Sequence, residues 1–299
     1  MRTKISFCLF ALVLSLVSFS AGLHFSKIST ADPLIAMGQN ENLNPSKINL
    51  PAGKVVIAHA GGGVGEFTYT NSREALDGAV ANGFKFIELD FKRAKNGDFV
   101  LLHRKPTDTL KTPITYDELP NSAAEFVKTK MAGGLTPMSL ETLLDWMAEN
   151  PDVYIVTDLK KDVIEGLREI KARSKDKSER FIAQIYSLDQ YNDVKALGYN
   201  NIILTVYMLG KPLDISVEDL GDFCRKTDLL ALTMPDSWFS NDTFERLGEV
   251  ETPLFLHTTN GYERASQFLS AGVKGLYTAY ITPGWIEQNK SNFDKNPNN

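Results

Sequence analysis

The chain has 299 residues, 43% of them hydrophobic, which suffices for one large domain or two small ones. A formal charge of −5 and a pI of about 5.5 exclude a general nucleic-acid binder, whose footprint is a basic face. With two cysteines it is not a disulfide scaffold, and no stretch of it is fibrous or low in complexity.

Arg2 and Lys4 precede an apolar run from Ile5 to Val17, followed by the small residues Ser18, Ser20, Ala21 and Gly22. That is the pattern of a secretory signal, and the run is short for a spanning helix. Residues 1–22 are therefore read as a signal peptide or an N-terminal anchor, and the protein as exported, either periplasmic or secreted. Cleavage would leave Cys224 as the sole cysteine, with no internal disulfide and no cysteine-based metal site. Residues 23–52 lack a steady period and read as a leader or linker. The folded part is expected over 53–288 and a flexible tail over 289–299.

The folded part opens on "VVIAHAGGG". A β-branched apolar run bounded by glycines reads as a strand buried on both faces, delivering His59 to its C-terminal end. Glycines beyond it let the backbone turn sharply and let a ligand come close. A core histidine before a flexible turn would produce the same stretch, and on this stretch alone the two readings weigh equally. Further strands are predicted over 85–91, 153–159, 181–187, 201–207, 229–234, 253–257 and 274–279. With 54–58 they make eight. Helical patterns alternate with them, such as "MSLETLLDWMAEN", where Leu140, Leu143, Leu144 and Met147 share one face. "SREALDGAVANG", "DQYNDVKALG", "VEDLGDFCRK", "NDTFERLGEV" and "YERASQFLSAG" are others. Eight strand-helix units point to an α/β fold, a closed (β/α)8 TIM barrel, with a doubly wound sheet as the alternative. Asn96-Gly97 signals a hairpin that extends the second strand back to His103, and the segment from Arg104 to Pro137 reads as an insertion over the mouth.

"FIELDFK" places Glu88, Asp90 and Lys92 on one side of the second strand, because side chains alternate. Two carboxylates so close repel each other unless a cation lies between them, and Ca²⁺ or Mg²⁺ takes such oxygen ligands. "VYIVTDLKK" repeats the design, with Asp158 able to complete a three-carboxylate metal site and Lys160 able to bind an anionic group. His59, His103 and His257 all stand at predicted C-terminal strand ends, the face where barrels keep their chemistry. Two histidines beside a metal suit general acid and base roles in breaking a phosphodiester. Arg104 and Lys105 add positive charge beside His103.

"IAHAGG", "TNSREAL" and "GFKFIELDFKRAKNGDFVLLH", followed in order by "LTPMSLETLLDWM", "IVTDLK" and "LHTTNGYERASQFLSAGVKGLYTAYITP", resemble the glycerophosphodiester phosphodiesterase family over Val55 to Pro283. The resemblance implies His59 and His103 as the catalytic acid/base pair, Glu88, Asp90 and Asp158 as ligands of Ca²⁺ or Mg²⁺, and Lys160 as a phosphate contact. It implies a small-molecule phosphodiester as substrate, with Asn71 as a further contact; Arg104 and His257, which stand on the same rim, are read as substrate contacts as well, the acidic balance argues against nucleic acid, and membrane contact is expected only through the N-terminal segment. The chain departs from the family pattern at Ala60 (Arg in the family), Arg104 (Asp), Asp158 (Glu), His257 (Trp) and Ala279 (Asp), and "TNS" lacks the Glu of Glu-Asn-Thr. Cleavage of a phosphodiester is thus more secure than the identity of the diester. A non-catalytic anion-binding barrel, a phospholipase D-like enzyme on intact lipid or envelope polymer, and a metal-free cyclising phospholipase stay open as alternatives.

Overall fold

In the computed structural model the described residues are 47–103, 120–129, 131–210, 216–240 and 252–293. The first strand, β1 (Val55–Ala58), pairs in parallel with β2 (Phe86–Arg93) on one side and with the last, β9 (Gly275–Thr278), on the other. Between them run β4 (Tyr154–Asp158), β5 (Phe181–Ile185), β6 (Ile202–Thr205), β7 (Ala231–Pro235) and β8 (Leu254–His257). Each is parallel to the next, so the sheet closes as a (β/α)8 barrel. The remaining strand, β3 (Phe99–Leu101), folds back antiparallel on β2 as the hairpin that Asn96-Gly97 announces.

Alternation along these strands sorts the core into two regions. Val56, Ala58, Ile87, Leu89, Phe91, Ile155 and Ala183 face outward against the helices. Val55, Ile57, Phe86, Val156, Ile182, Ile203 and Phe255 face inward and fill the barrel. Gly275 exists for one of these inward side chains: a Cβ on it would lie 2.6 Å from the Phe255 ring across the β8–β9 pair. Ile48 and Leu50 pack against the inward set, and the Ile48 N–H donates to Asn201 Oδ1, just ahead of β6, at 2.8 Å. The chain therefore enters at the N-terminal end of the barrel, several residues earlier than the expected start at 53.

Helices follow where the apolar spacing places them, and local side chains begin them. Ser72 caps the helix Arg73–Ala81, and Ser139 with Thr142 forms a capping box at Leu140–Glu149. Val163–Ser174 is helical as well, burying Val163, Leu167 and Ile170. The last helix, Pro283–Phe293, runs past Gln288 because Phe293 is buried against the core. In the long segment after the hairpin, Ala123–Phe126 forms one helical turn that packs Phe126 with Ala94, Val100 and Leu102. The N-terminal signal or anchor, most of the leader, Arg104, Lys105 and "NDTFERLGEV" lie outside the described residues. Among the described residues no helix is long and apolar enough to cross a membrane.

Candidate active site

Strand β1 ends in a tight turn, His59–Gly61, whose backbone enters the left-handed region at Ala60 (φ 47°), Gly61 (φ 89°) and Gly62 (φ 97°). The turn aims the His59 ring across the barrel mouth and points the Ala60 N–H at Glu88 Oε2, 2.7 Å away. Ala60 is fully buried, so at the position where the resembled family carries an arginine this chain offers a backbone donor and no cation.

The strand register assembles the carboxylates. Asp90 on β2 and Asp158 on β4 are directly paired positions of adjacent parallel strands, so their side chains emerge side by side. Glu88 lies two residues earlier on the same inward face. All three are buried, and one oxygen from each can be chosen so that the three lie within 4.8 Å of one another. Lys160 Nζ lies 2.8 Å from Asp158 Oδ2 and 3.6 Å from Asp90 Oδ1. Burial opposes charge on this lysine, but Asp158 and Asp90 outweigh it and hold Lys160 protonated. Burial, then the charge of Asp90, raises the pKa of both Glu88 and Asp158. Burial pushes on Asp90 too, but His103, Lys160 and the Asn71 amide prevail and keep it below the usual carboxylate value.

These residues fit a hard divalent cation. Glu88 Oε1 is buried and accepts no hydrogen bond from any described residue, although an ionised carboxylate oxygen out of water needs a donor or a metal. One lysine does not neutralise three carboxylates, and an all-oxygen donor set matches Ca²⁺ or Mg²⁺ chemistry.

His59, His103 and His257 all reach this end of the barrel. His59 Nε2 is 3.6 Å from Glu88 Oε2, and its Nδ1 is 3.2 Å from Thr258 Oγ1. Burial, opposed by Asp90, lowers the pKa of His59 to about 3, and that of His103 falls for the same reasons. The two imidazoles sandwich Tyr69, whose ring centroid is 4.8 Å from His59 and 4.7 Å from His103. His257 hydrogen-bonds Thr233 Oγ1 through Nδ1 at 3.0 Å and stands between Tyr207 and Tyr277. Edge-to-face contacts link Tyr186, Tyr207, His257, Tyr277 and His59 into an arc of rings from β5 round to β1. The acidic half of the mouth, on β2 and β4, closes the circle.

Asn71 is placed differently from expectation. It is fully buried behind Asp90, to which its Nδ2 donates at 3.0 Å, while its Oδ1 accepts from the Asp90 N–H at 2.9 Å. Both ends of the amide hold Asp90 and the side chain is out of reach of solvent, so in this arrangement Asn71 orients a carboxylate. Sequence reasoning also passed over Tyr186, whose hydroxyl donates to Asp158, and Gln184, which links the Tyr186 and Tyr277 hydroxyls at 3.0 and 3.2 Å. The signal was present: Ile182 and Gln184 in β5 and Tyr186 just beyond its end share the inward parity, and polar groups there must meet other polar groups. Tyr69 and Thr258 lie in loops and carried no such signal.

The chain is a (β/α)8 barrel with buried carboxylates, a lysine and histidines gathered at the C-terminal strand ends. No protein-family model matches the sequence, and no curated protein matches it. Solved structures do. A glycerophosphodiester phosphodiesterase from Parabacteroides distasonis aligns over 79% of this chain and 97% of its own, at 14% identity and TM-score 0.60. One from Thermotoga maritima aligns over 76% and 95%, at 18% identity and TM-score 0.58. A phosphodiesterase from Oleispira antarctica, solved with the product sn-glycerol-3-phosphate, aligns over 81% and 97%, at 16% identity and TM-score 0.58. The chain thus shares the barrel fold of these phosphodiesterases at 14–18% sequence identity.

Proposed function

We propose that the protein is an exported, metal-dependent phosphodiesterase, a divergent member of the glycerophosphodiester phosphodiesterase family. The observation that carries this reading is the buried trio Glu88, Asp90 and Asp158, with its unsatisfied Glu88 oxygen, next to His59 and Lys160 on one rim. Glu88, Asp90 and Asp158 hold the cation, and Asn71, Tyr186 and the Ala60 N–H fix the orientation of those ligands. When bound, the cation offsets phosphate charge and orients the diester. Lys160 supplies a further positive charge to a phosphate oxygen. Of His59 and His103, the one in its neutral form, which burial favours, takes the proton of the attacking oxygen, and the other gives the leaving alkoxide the proton it carries as the imidazolium, the form that Asp90 favours. His257 and Arg104 contact the remainder of the substrate. The likeness to a barrel solved with sn-glycerol-3-phosphate supports a small glycerophosphodiester as substrate. The basic, then apolar, N-terminal segment supports export to the periplasm or medium.

Hydrolysis of glycerophosphocholine and of an aryl phosphodiester, with chelator and with Ca²⁺ or Mg²⁺ added back, tests the reading and chooses the ion. Expected are turnover abolished by chelation and restored by one of the two ions, and a fall of roughly 10²–10⁴ in kcat for His59→Ala and for His103→Ala. Turnover indifferent to both chelator and His59→Ala would eliminate the mechanism.

A further inference from the structure

Tyr69 combines several features that the fold alone does not require. Its backbone is left-handed (φ 58°), which is uncommon for a non-glycine residue and an outlier for a bulky one. Such a conformation persists only where the surroundings over-determine it, and it collects at functional sites. Here the surroundings do so from both sides. Ahead of Tyr69, the Gly63 N–H donates to Ala279 O at 2.9 Å and Val64 pairs with Phe67. The Phe67 ring lies so close to Gly133 that a Cβ there would be 2.6 Å from it. Behind Tyr69, the Asn71 N–H donates to Ala60 O at 2.9 Å, and the Asn71 side chain is clamped on Asp90. The loop is pinned at both ends, and Tyr69 is driven in between the two histidines.

We propose that Tyr69 is a positioning residue: its ring is the wedge that fixes the separation and tilt of the His59 and His103 imidazoles. Against His59 it lies edge-on, at 86° between planes, and against His103 it is tilted by 52°. Thr258 Oγ1, 3.2 Å from His59 Nδ1, holds the orientation of the first imidazole from its other side. His103 depends on the wedge more than His59 does, because its Nδ1 is buried without a hydrogen-bond partner among the described residues. The inference rests on His59 and His103 being the proton-transfer pair, and places between them the part that keeps two rings from different loops aimed at one substrate.

Tyr69→Gly and Tyr69→Phe, compared with wild type, test it by steady-state kinetics, thermal melting and ¹⁵N NMR of the histidine side chains. Tyr69→Gly removes the ring and relieves the left-handed backbone, so melting stays close to wild type. Its kcat falls ~10- to 100-fold, as expected for misplaced reacting groups, with KM little changed. Tyr69→Phe keeps the ring and restores most of kcat. The His59 and His103 ring nitrogens give sharp, distinct signals in wild type and Tyr69→Phe, and broadened ones in Tyr69→Gly. Unchanged kcat or unchanged imidazole signals in Tyr69→Gly would overturn the proposal, as would Tyr69→Phe failing as badly as Tyr69→Gly, or a rise in KM at constant kcat. If wild type turns over no phosphodiester, the functional reading fails, and the NMR comparison still decides whether Tyr69 holds the rings.

Discussion

Replacing Asn71 by alanine separates a residue that supports the site from one that touches substrate. Three losses can be read from the structure. The hydrogen bond from Nδ2 to the Asp90 carboxylate is charge-assisted and contributes about 1.5–3 kcal/mol, and the bond accepted from the buried Asp90 N–H contributes about 1 kcal/mol. Asn71 also sits at φ 49°, which asparagine tolerates better than alanine does, a difference of about 1 kcal/mol. The expected destabilisation is therefore about 4 kcal/mol for Asn71→Ala, or roughly 10 °C in melting temperature for a domain of this size. Asn71→Gly escapes the backbone penalty and should lose about 1 kcal/mol less than Asn71→Ala. Urea unfolding of the three proteins, fitted for midpoint at a common slope, measures both differences. A loss below about 1 kcal/mol for Asn71→Ala, or a glycine variant less stable than the alanine one, would refute the clamp. A pure substrate contact would raise KM and leave the unfolding midpoint alone.

Two further outcomes follow from geometry already described. Burial lowers the pKa of His257 from 6.5 to about 4, so the native state refuses a proton that the unfolded chain accepts. Stability from this residue is complete above pH 6.5 and drains away as pH falls through 4, by about 3 kcal/mol in all. His257→Asn, which keeps a hydrogen-bonding atom near Thr233, should flatten that part of the stability–pH curve, and parallel curves would count against the assignment. Gly275→Ala forces a Cβ to within 2.6 Å of the Phe255 ring and should cost about 1–3 kcal/mol in chemical denaturation. A neutral result would mean that the inward packing of Phe255 is looser than described.

Much of this molecule was legible in the sequence because parallel strands buried on both faces have a simple grammar. Runs such as Val55–Ala58 and Tyr154–Asp158 are apolar until the mouth, where a histidine or carboxylate takes over. Period-two alternation then predicts that Glu88 and Asp90 share a face, and their meeting with Asp158 follows from the Asp90–Asp158 register. What stayed hidden depends on distances that no local pattern encodes. Asn71 reads as a substrate contact until its amide is seen to span Asp90, nineteen residues on. Thr258 reaches His59, 199 positions away in the chain, only because β1 and β9 close the barrel next to β8. Tyr186 and Gln184 were visible as inward parity, but their partners Asp158 and Tyr277 are chosen by strand order.

The floor beneath the site has its own consequence. Ile48 and Leu50 stopper the far end of the barrel, where Lys47 also forms an ion pair with Asp228. With the interior packed as well, any molecule held at the rim would come and go by the same side, and a side chain that crowds the rim would slow arrival and departure together. A protein trimmed to begin near Lys47 and fixed to a bead by its amino end would turn that side towards the solution.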